Sequence, residues 1–487
     1  MQTDAPVFEA IERYKPLLTA DQYHKLLEDA LKPAEIAIRI NLLKHSNPQN
    51  TADKLAEAYG WRLRSLPYHD SSWQIISAQV PPGQTIEHRL GEYYVQDAAS
   101  IVPVSLFSHS DKPLLKLDMA ASPGGKTTQL IDLCEDKCFV LANDSSLSRM
   151  PALKTVLSNW GAANVAITNY SGEKLGDWFP EKFDRVLLDA PCSMEGLRVS
   201  PSHPFRPISA SERQRLAQRQ LALLISAVKA AKVGAEIVYS TCTLAPEENE
   251  MVLDTLLRSY PGIIKVDTGF SKKFNLAGIQ EFEGISFREE VAGSARVWPF
   301  SFGTNGFFAV KLVKQVSIPS NQLAKPSRPF QTTGLRALNK DKTSLISNYL
   351  STQFGFDLFS MLSINSLSLM ERSNNVYLVP QTYSIYFSEL PYYSLGMPAG
   401  KWFKDDFQIS PEFIQRWGHT FAKGYVTLTK FEQTDWMKGL DIRGRTFDIP
   451  LGSQVLVRSE SGQNLGSGKY LRGRLRNLLP NRNLAIG

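Results

Sequence analysis

The sequence predicts an α/β protein built on a doubly wound parallel sheet, preceded by a small α+β module and followed by a β-rich, basic region. Three observations carry this. Between Tyr94 and Val313, short and nearly continuous apolar runs alternate with loop-and-helix stretches, the pattern of parallel strands covered on both faces. A glycine turn, Pro123-Gly124-Gly125, follows the first of those runs and opens a helix. After residue 334 the strand–helix rhythm stops, and Tyr, Phe and Trp become frequent between short strand-like segments.

Size and composition agree. A chain of 487 residues exceeds one ordinary core and suggests two to four domains. Hydrophobic and charged fractions of 43% and 21% are those of a globular protein. The net charge of +6 is a mild basic excess, weak evidence by itself for an anionic partner. The N-terminus has no basic segment leading into an apolar run, so a secretory signal is not expected. No run approaches the roughly 20 apolar residues needed to span a bilayer. The expectation is a cytoplasmic monomer. The four cysteines are too few for a disulfide framework. Cys134 and Cys138 lack a nearby histidine or further cysteine, so no metal site is expected.

In order along the chain, Phe8 to Leu31 reads as helix with a break near Pro16, ending before Pro33. Ile36–Asn41 reads as a strand and Thr51–Tyr59 as an amphipathic helix. These place a small α+β module over residues 1–92. The sheet-forming domain covers 93–314. Its strands are expected at Leu114–Asp118, Phe139–Asn143, Val165–Thr168, Arg185–Asp189 and Glu236–Ser240, with Arg296–Trp298 and Phe307–Val313 added at the end. Residues 315–334, rich in Ser, Pro, Lys and Gln, read as a linker. An α/β connecting domain is assigned to 335–410 and a β-rich domain to 411–487. The last stretch carries Arg458, Lys469, Arg472, Arg474, Arg476 and Arg482 against Glu460.

Two strands end in cysteine-bearing segments, Asp189-Ala190-Pro191-Cys192 and Ser240-Thr241-Cys242-Thr243. Either thiol alone is more often structural. In a doubly wound sheet, however, functional groups gather at the carboxyl ends of strands. Asp118, Asp144, Asp189, Cys192 and Cys242 all fall there. The glycine loop matches neither GxGxxG nor GxxxxGK[ST], which disfavours a nicotinamide dinucleotide or a P-loop nucleotide. Asp144, after the second strand, has the placement of a carboxylate that accepts from ribose hydroxyls.

These segments resemble the Fmu/Sun-type RNA cytosine-5 methyltransferases. The likeness rests on Ala120-Ala121-Ser122-Pro123-Gly124-Gly125-Lys126-Thr127, Asp189-Ala190-Pro191-Cys192-Ser193, Ser240-Thr241-Cys242-Thr243 and Glu247-Glu248-Asn249, flanked by Tyr94-Val95-Gln96-Asp97-Ala98-Ala99-Ser100 and Gly306-Phe307-Phe308. It spans residues 90 to 313. The tail, Leu465-Gly466-Ser467-Gly468-Lys469 and Arg474 to Pro480, is similar to the end of PUA-like RNA-binding domains, which the bacterial 16S ribosomal RNA branch carries. Arg39-Ile40-Asn41 resembles a short N-terminal family motif.

The resemblance implies a Rossmann-like, S-adenosyl-L-methionine-dependent methyltransferase that makes 5-methylcytosine in RNA, with ribosomal RNA or the small ribosomal subunit as partner. It implies Cys242 as the attacking thiolate, Cys192 as the group that assists release, and Asp189 on the cytosine edge. It implies a cofactor site from Ala120, Ala121, Ser122, Pro123, Gly124, Gly125 and Lys126, with Asp144 on the ribose and Arg149, Ser171 and Asp189 beside it. Four positions depart from the family pattern. Ser171 stands where an Asp is common, Met194 where a Gly is, Phe300 where a His is, and Asn305 where an acid is. Transfer RNA as substrate, or a non-catalytic RNA-binding ribosome-assembly role, stand as the alternatives. A thiol oxidoreductase is disfavoured because there is no CxxC.

Overall fold

The computed structural model describes residues 10–30, 32, 35–196, 208–321, 323–404 and 406–484. Phe8, Leu31 and Pro33, which bound the expected first helix, lie outside the described residues, as does the side chain of Arg482.

The N-terminal helical stretch breaks where Pro16 disallows it. A 3-10 turn at Lys15–Leu17 gives way to extended Leu18 before α1 (Ala20–Ala30). A four-stranded antiparallel sheet follows, in the order β2-β3-β1-β4: β1 Ile36–Ile40, β2 Arg62–Leu66, β3 His69–Ser77 and β4 Tyr93–Asp97. Helix α2 (Pro48–Tyr59) joins β1 to β2. It starts one turn earlier than its apolar period suggests, because Asn47 accepts from the Asn50 N–H and Pro48 fits the first turn. The expected domain boundary at residue 92 is corrected by pairing. Tyr93–Asp97 completes this sheet, with Ile36 opposite Asp97 and Ile40 opposite Tyr93.

The central sheet has nine strands. Its parallel heart runs β7-β6-β5-β8-β9: β5 Leu115–Asp118, β6 Phe139–Asn143, β7 Val165–Thr168, β8 Phe183–Asp189 and β9 Ala231–Thr241. Antiparallel β14 (Phe307–Lys314) pairs with β9, β10 (Ile264–Asp267) pairs with β14, and β13 (Ala295–Val297) pairs with β14. These strands read as continuous apolar runs because both faces are covered; all four residues of β5 and all five of β6 are buried. Helices α3 (Gly125–Asp132), α4 (Met150–Trp160) and α5 (Ala210–Ala230) make the crossovers, and α6 (Glu250–Ser259) follows β9. The chain moves outward from β5 to β7, then returns to lay β8 beside β5. Asp118 and Asp189 therefore end adjacent strands at the switch point, where open α/β sheets bind ligands.

A hairpin of β11 (Glu281–Phe282) and β12 (Ile285–Ser286) also occurs, and two five-stranded sheets follow. One has, in order, β15 (Arg336–Ala337), β16 (Leu367–Arg372), β17 (Asn375–Pro380), β19 (Met397–Phe403) and β20 (Asp406–Ile409). The other has β21 (Tyr425–Leu428), β23 (Gln454–Ser459), β24 (Asn464–Leu471), β25 (Arg474–Asn477) and β22 (Ile442–Arg443). The first is antiparallel. The second is mixed, since β21 runs parallel to β23. One short strand leaves this region: β18 (Ser394–Leu395) pairs with β7 and caps the central sheet. Phe387 packs with Phe139 and Phe183 in the central core. The stretch expected as a linker is irregular yet anchored, with Ile318 buried and the Asn321 N–H donating to Asp177.

The Arg39-Ile40-Asn41 motif acquires a structural explanation. Arg39 is fully buried, donates to the Gly125 carbonyl at 3.0 Å, the Thr128 hydroxyl and the Asp132 carboxylate, and stacks on Trp160 at 4.6 Å. Asn41 donates to the carbonyls of Gly91 and Trp160. The N-terminal sheet is thereby fastened to the helix that carries the glycine loop. Arg39→Ala would leave Asp132 buried with its principal countercharge gone, and is expected to destabilise the protein by about 3–5 kcal/mol. Urea titration checks this; a loss under 1 kcal/mol would contradict it.

Candidate active site

The glycine loop is built by its backbone. Gly124 adopts φ +116, a conformation L side chains rarely reach, and starts α3. A Cβ on Gly125 would come within 2.7 Å of the Tyr94 ring, so β4 and the loop meet at a distance only glycine permits. A cleft of about 270 Å³ opens here, walled by Ala120, Ala121, Ser122, Pro123, Gly125 and Lys126 on the loop side. Tyr94, Gln96 and Ser100 form the facing wall, and Asp189 closes one end.

Asp118 lies beneath the loop, 1% exposed, accepting from the Thr127 hydroxyl at 2.7 Å while Oδ1 has no hydrogen-bond partner among the described residues. Burial is the main cause that lifts its pKa to about 7; the Thr127 bond opposes this and the Asp189 charge adds to it. Because the folded value lies above the ordinary 3.8, the fold favours the protonated form. This contribution to stability is complete below about pH 4 and is lost as pH rises through about 7. Asp118→Asn, always neutral, is expected to gain stability over the wild type as pH rises from 5 to 8. Urea midpoints across that range check it, and a constant difference would refute the raised pKa.

Lys126 ends the loop at the active edge. Its Nζ lies 2.8 Å from Asp189 Oδ2 and 5.4 Å from the centre of the Phe307 ring. Burial pulls its pKa down, but the negative charges of Asp189 and Cys242 outweigh this and hold it above the ordinary lysine range. Asp189 also accepts from the Ser240 hydroxyl at 2.8 Å, which ties the end of β8 to the end of β9.

The two cysteines meet. Cys192 Sγ and Cys242 Sγ are 3.2 Å apart, both free and half-buried. The Cys192 thiol is pushed well above the ordinary range, first by its hydrogen bond with Cys242, then by burial and the nearby Cys242 and Glu248 charges. Cys192, which holds its proton, is accordingly the S–H donor in this contact.

Several groups that hold this pair in place were quoted in the family motifs without a role. Glu248 is fully buried and accepts from the Ser193 N–H at 3.0 Å and the Gln220 amide at 2.8 Å. Asn249 accepts from the Thr241 hydroxyl and donates to the Thr243 carbonyl at 2.9 Å. Together they lock the Cys192 and Cys242 loops to the start of α6. Glu250, next in sequence, makes a two-pronged, fully buried ion pair with Arg296 at 2.8 and 2.6 Å. Carboxylates and an amide at a helix start signalled only a capping preference in sequence.

The other expected site residues divide. Asp144 lies beside the loop, 3% exposed, and its oxygens accept from the backbone N–H groups of Ser122 at 3.1 Å and Ser146 at 2.9 Å. Arg149 donates to the Ser122 carbonyl and accepts from the Ser122 hydroxyl at its own carbonyl, so it clamps the loop. The Ser171 hydroxyl donates to Glu173, which pairs with Arg219. None of Asp144, Arg149 and Ser171 lines the cleft at Asp189.

The departures are accommodated. Met194 takes φ +61, the left-handed conformation that explains a glycine at this position, with its side chain 63% exposed. Phe300 stacks on Trp298, with the rings 6° from parallel. Asn305 donates from its side chain and backbone to Asp97 Oδ2, a carboxylate that a second acid at 305 would repel.

Comparison with known proteins follows the same lines. Residues 107–313 match the family described as 16S rRNA methyltransferase RsmB/F. The Ribosomal RNA small subunit methyltransferase F of Aeromonas hydrophila is 31% identical over 92% of this chain and 91% of its own length. That of Vibrio cholerae is 31% identical over 92% and 91%. Among solved structures, a methyltransferase homolog protein from Pyrococcus horikoshii superposes with a TM-score of 0.55 at 28% identity, covering 63% of this chain and 94% of its own. A second protein of that organism, NSun6 with SFG, gives a TM-score of 0.52 at 21% identity and shares the fold, over 63% of this chain and 98% of its own.

Proposed function

The chain belongs to the 16S rRNA methyltransferase RsmB/F family, and we propose that it forms 5-methylcytosine in 16S ribosomal RNA through a covalent bond between Cys242 and carbon 6 of the cytosine. The observation that carries this reading is the 3.2 Å contact of Cys192 and Cys242 beside the Lys126–Asp189 pair.

Carbon 5 of cytosine is a poor nucleophile. Addition of the Cys242 thiolate to carbon 6 breaks the C5–C6 double bond and leaves the electron pair on carbon 5. Bound S-adenosylmethionine supplies the electrophilic methyl group that this carbon takes up. The residues present suit that ligand: the close backbone at Gly124 and Gly125 admits it, and Asp189 at one end of the cleft offers a carboxylate to a cationic, hydroxyl-bearing molecule. Ala120 to Lys126 would hold it, Asp144 and Arg149 fixing the loop from behind. Ser171 bonds to Glu173 and is assigned no contact.

Asp189 accepts from the exocyclic amine of the ring and Lys126 stays charged beside it, so positive charge lies where negative charge spreads. Cys192 releases its proton to solvent, and its thiolate then takes the hydrogen of carbon 5 as a proton, leaving the C–H electron pair on carbon 5. The freed pair restores the C5–C6 bond and expels Cys242 as thiolate. The target base must leave its stack to reach the thiol. The mixed five-stranded sheet within Tyr425–Asn477, with the basic side chains of its last strands, is assigned a PUA-like role in holding RNA.

Methyl transfer from labelled S-adenosylmethionine to purified 16S ribosomal RNA, small subunits and transfer RNA tests this. Label is expected in ribosomal RNA and, after nuclease digestion, in 5-methylcytidine. Label in another nucleoside would overturn the chemistry, and label in transfer RNA alone would overturn the substrate.

A further inference from the structure

A cavity of about 640 Å³ shares no lining residue with the active-site cleft. It lies where three distant parts of the chain meet: the start of α2, the segment Glu87–Glu92, and the C-terminal elements α7 (Pro411–Trp417) and the turn Ser461–Asn464. The junction is fastened, not a gap between loose bodies. Arg416 donates to the Leu43 carbonyl at 2.7 Å, and Gln463 donates to both Glu87 and Glu92.

Its lining has a definite chemistry. Lys44 and Lys54 balance Glu87 and Glu92, so the cavity lacks the charge excess that would select a phosphate. His419 presents an exposed imidazole whose pKa is pushed below the ordinary range, to about 4, by partial desolvation and by the nearby Arg416 cation, so it is a neutral ring at pH 7. Five amide side chains, Asn47, Asn50, Gln415, Gln463 and Asn464, share the rest of the lining with small and apolar groups. Gln415 is 5% exposed, and neither its amide oxygen nor its amide nitrogen has a hydrogen-bond partner among the described residues. An unpaired buried amide costs about 1–3 kcal/mol, so its retention in the cavity wall points to a ligand that satisfies it.

We propose that this cavity takes one unstacked, uncharged nucleobase of the substrate RNA, with the Gln415 amide reading an adjacent donor and acceptor on the base edge and the imidazole of His419 supplying a stacking face. A neutral heterocycle with paired donor and acceptor is what an unpaired carboxamide complements. Single-stranded RNA bases are characteristically held between amides and flat rings. The volume is that of a small-molecule pocket. The site would grip the RNA away from the base being methylated, and it rests on the RNA-methyltransferase reading above.

Anisotropy titrations with eight-residue single-stranded oligoribonucleotides and with an abasic ribose-phosphate strand of equal length test it. The full-length protein is expected to bind the base-containing strand about tenfold more tightly than the abasic one. Gln415→Leu, which removes an unpaired amide and should not harm folding, is expected to erase most of that difference while leaving abasic binding unchanged. Asn50→Ala, on an exposed helix face, should reduce it two- to fivefold. Equal binding of both strands by the wild type, or no change in either variant, would overturn the proposal. Tight binding of adenosine or cytidine monophosphate without a preference for the base-containing strand would assign the cavity to a free nucleotide and overturn the RNA source. Methyl transfer measured in parallel separates the two readings. Wild-type transfer to RNA with unaltered Gln415→Leu binding sinks this inference alone, and absence of transfer to any RNA sinks the function.

Discussion

Cys242→Ala is expected to lower single-turnover methyl transfer by about 10⁴-fold or more, since without the sulfur carbon 5 has no means of becoming nucleophilic. The structure gives this substitution a clean reading. Cys242 does not line the cleft formed by the Ala120–Lys126 loop, so affinity for S-adenosylmethionine should stay within about twofold by calorimetry. Lys126 keeps its ion pair with Asp189, and Asp189 keeps its bond from Ser240, so the ring-holding groups remain in place. The thiol is half-buried at the edge of a core cluster, and its loss should lower stability only slightly. Transfer within tenfold of the wild type would remove Cys242 from the chemistry and move suspicion to Cys192, 3.2 Å away.

Cys192→Ala is expected to slow turnover by about 10²–10⁴-fold, the range for losing a positioned proton acceptor. The more telling result is an accumulated adduct. Cys242 can still attack and the ring can still be methylated, but the hydrogen on carbon 5 is no longer removed, so the carbon–sulfur bond persists. A protein–RNA species surviving denaturing electrophoresis should appear, require S-adenosylmethionine for full yield, and vanish in the double variant with Cys242→Ala. An adduct of equal yield in the wild type, or none in Cys192→Ala, would deny Cys192 its part in release. The asymmetry has an electrostatic origin. Cys192 holds its proton because it bonds to Cys242, is buried, and lies near the Glu248 charge.

The strand-end segments were legible in sequence because their signal is local. An apolar run of four to seven residues buried on both faces needs no partner to be recognised, and β5 to β9 lie where those runs predict. β8 and β9 start earlier than expected, at Phe183 and Ala231, because these two residues pair with each other beyond a register shift between Phe183 and Arg185, which interrupts the apolar runs. Asp189, Cys192 and Cys242 followed from the rule that parallel strands present their carboxyl ends to ligands. Met194 was legible as an oddity; only its φ of +61 explains why glycine belongs there.

What sequence alone settled was the sheet, the loop with its two glycines, and the edge on which five functional candidates gather, since each depends on neighbours within a few residues. What the tertiary structure decided depends on segments far apart in the chain. Strand return across the switch point brings Asp189 to Lys126 and puts one thiol against the other. The pairing of Tyr93–Asp97 with β1 carries Tyr94 and Gln96 into the cleft and sets Arg39 behind α3. The backbone of Ser122 takes up the Asp144 carboxylate, and Glu173 takes up Ser171. A hydrogen-bond partner is chosen by whatever the fold brings within 3 Å, and that choice has no period or spacing in the sequence from which it could be read.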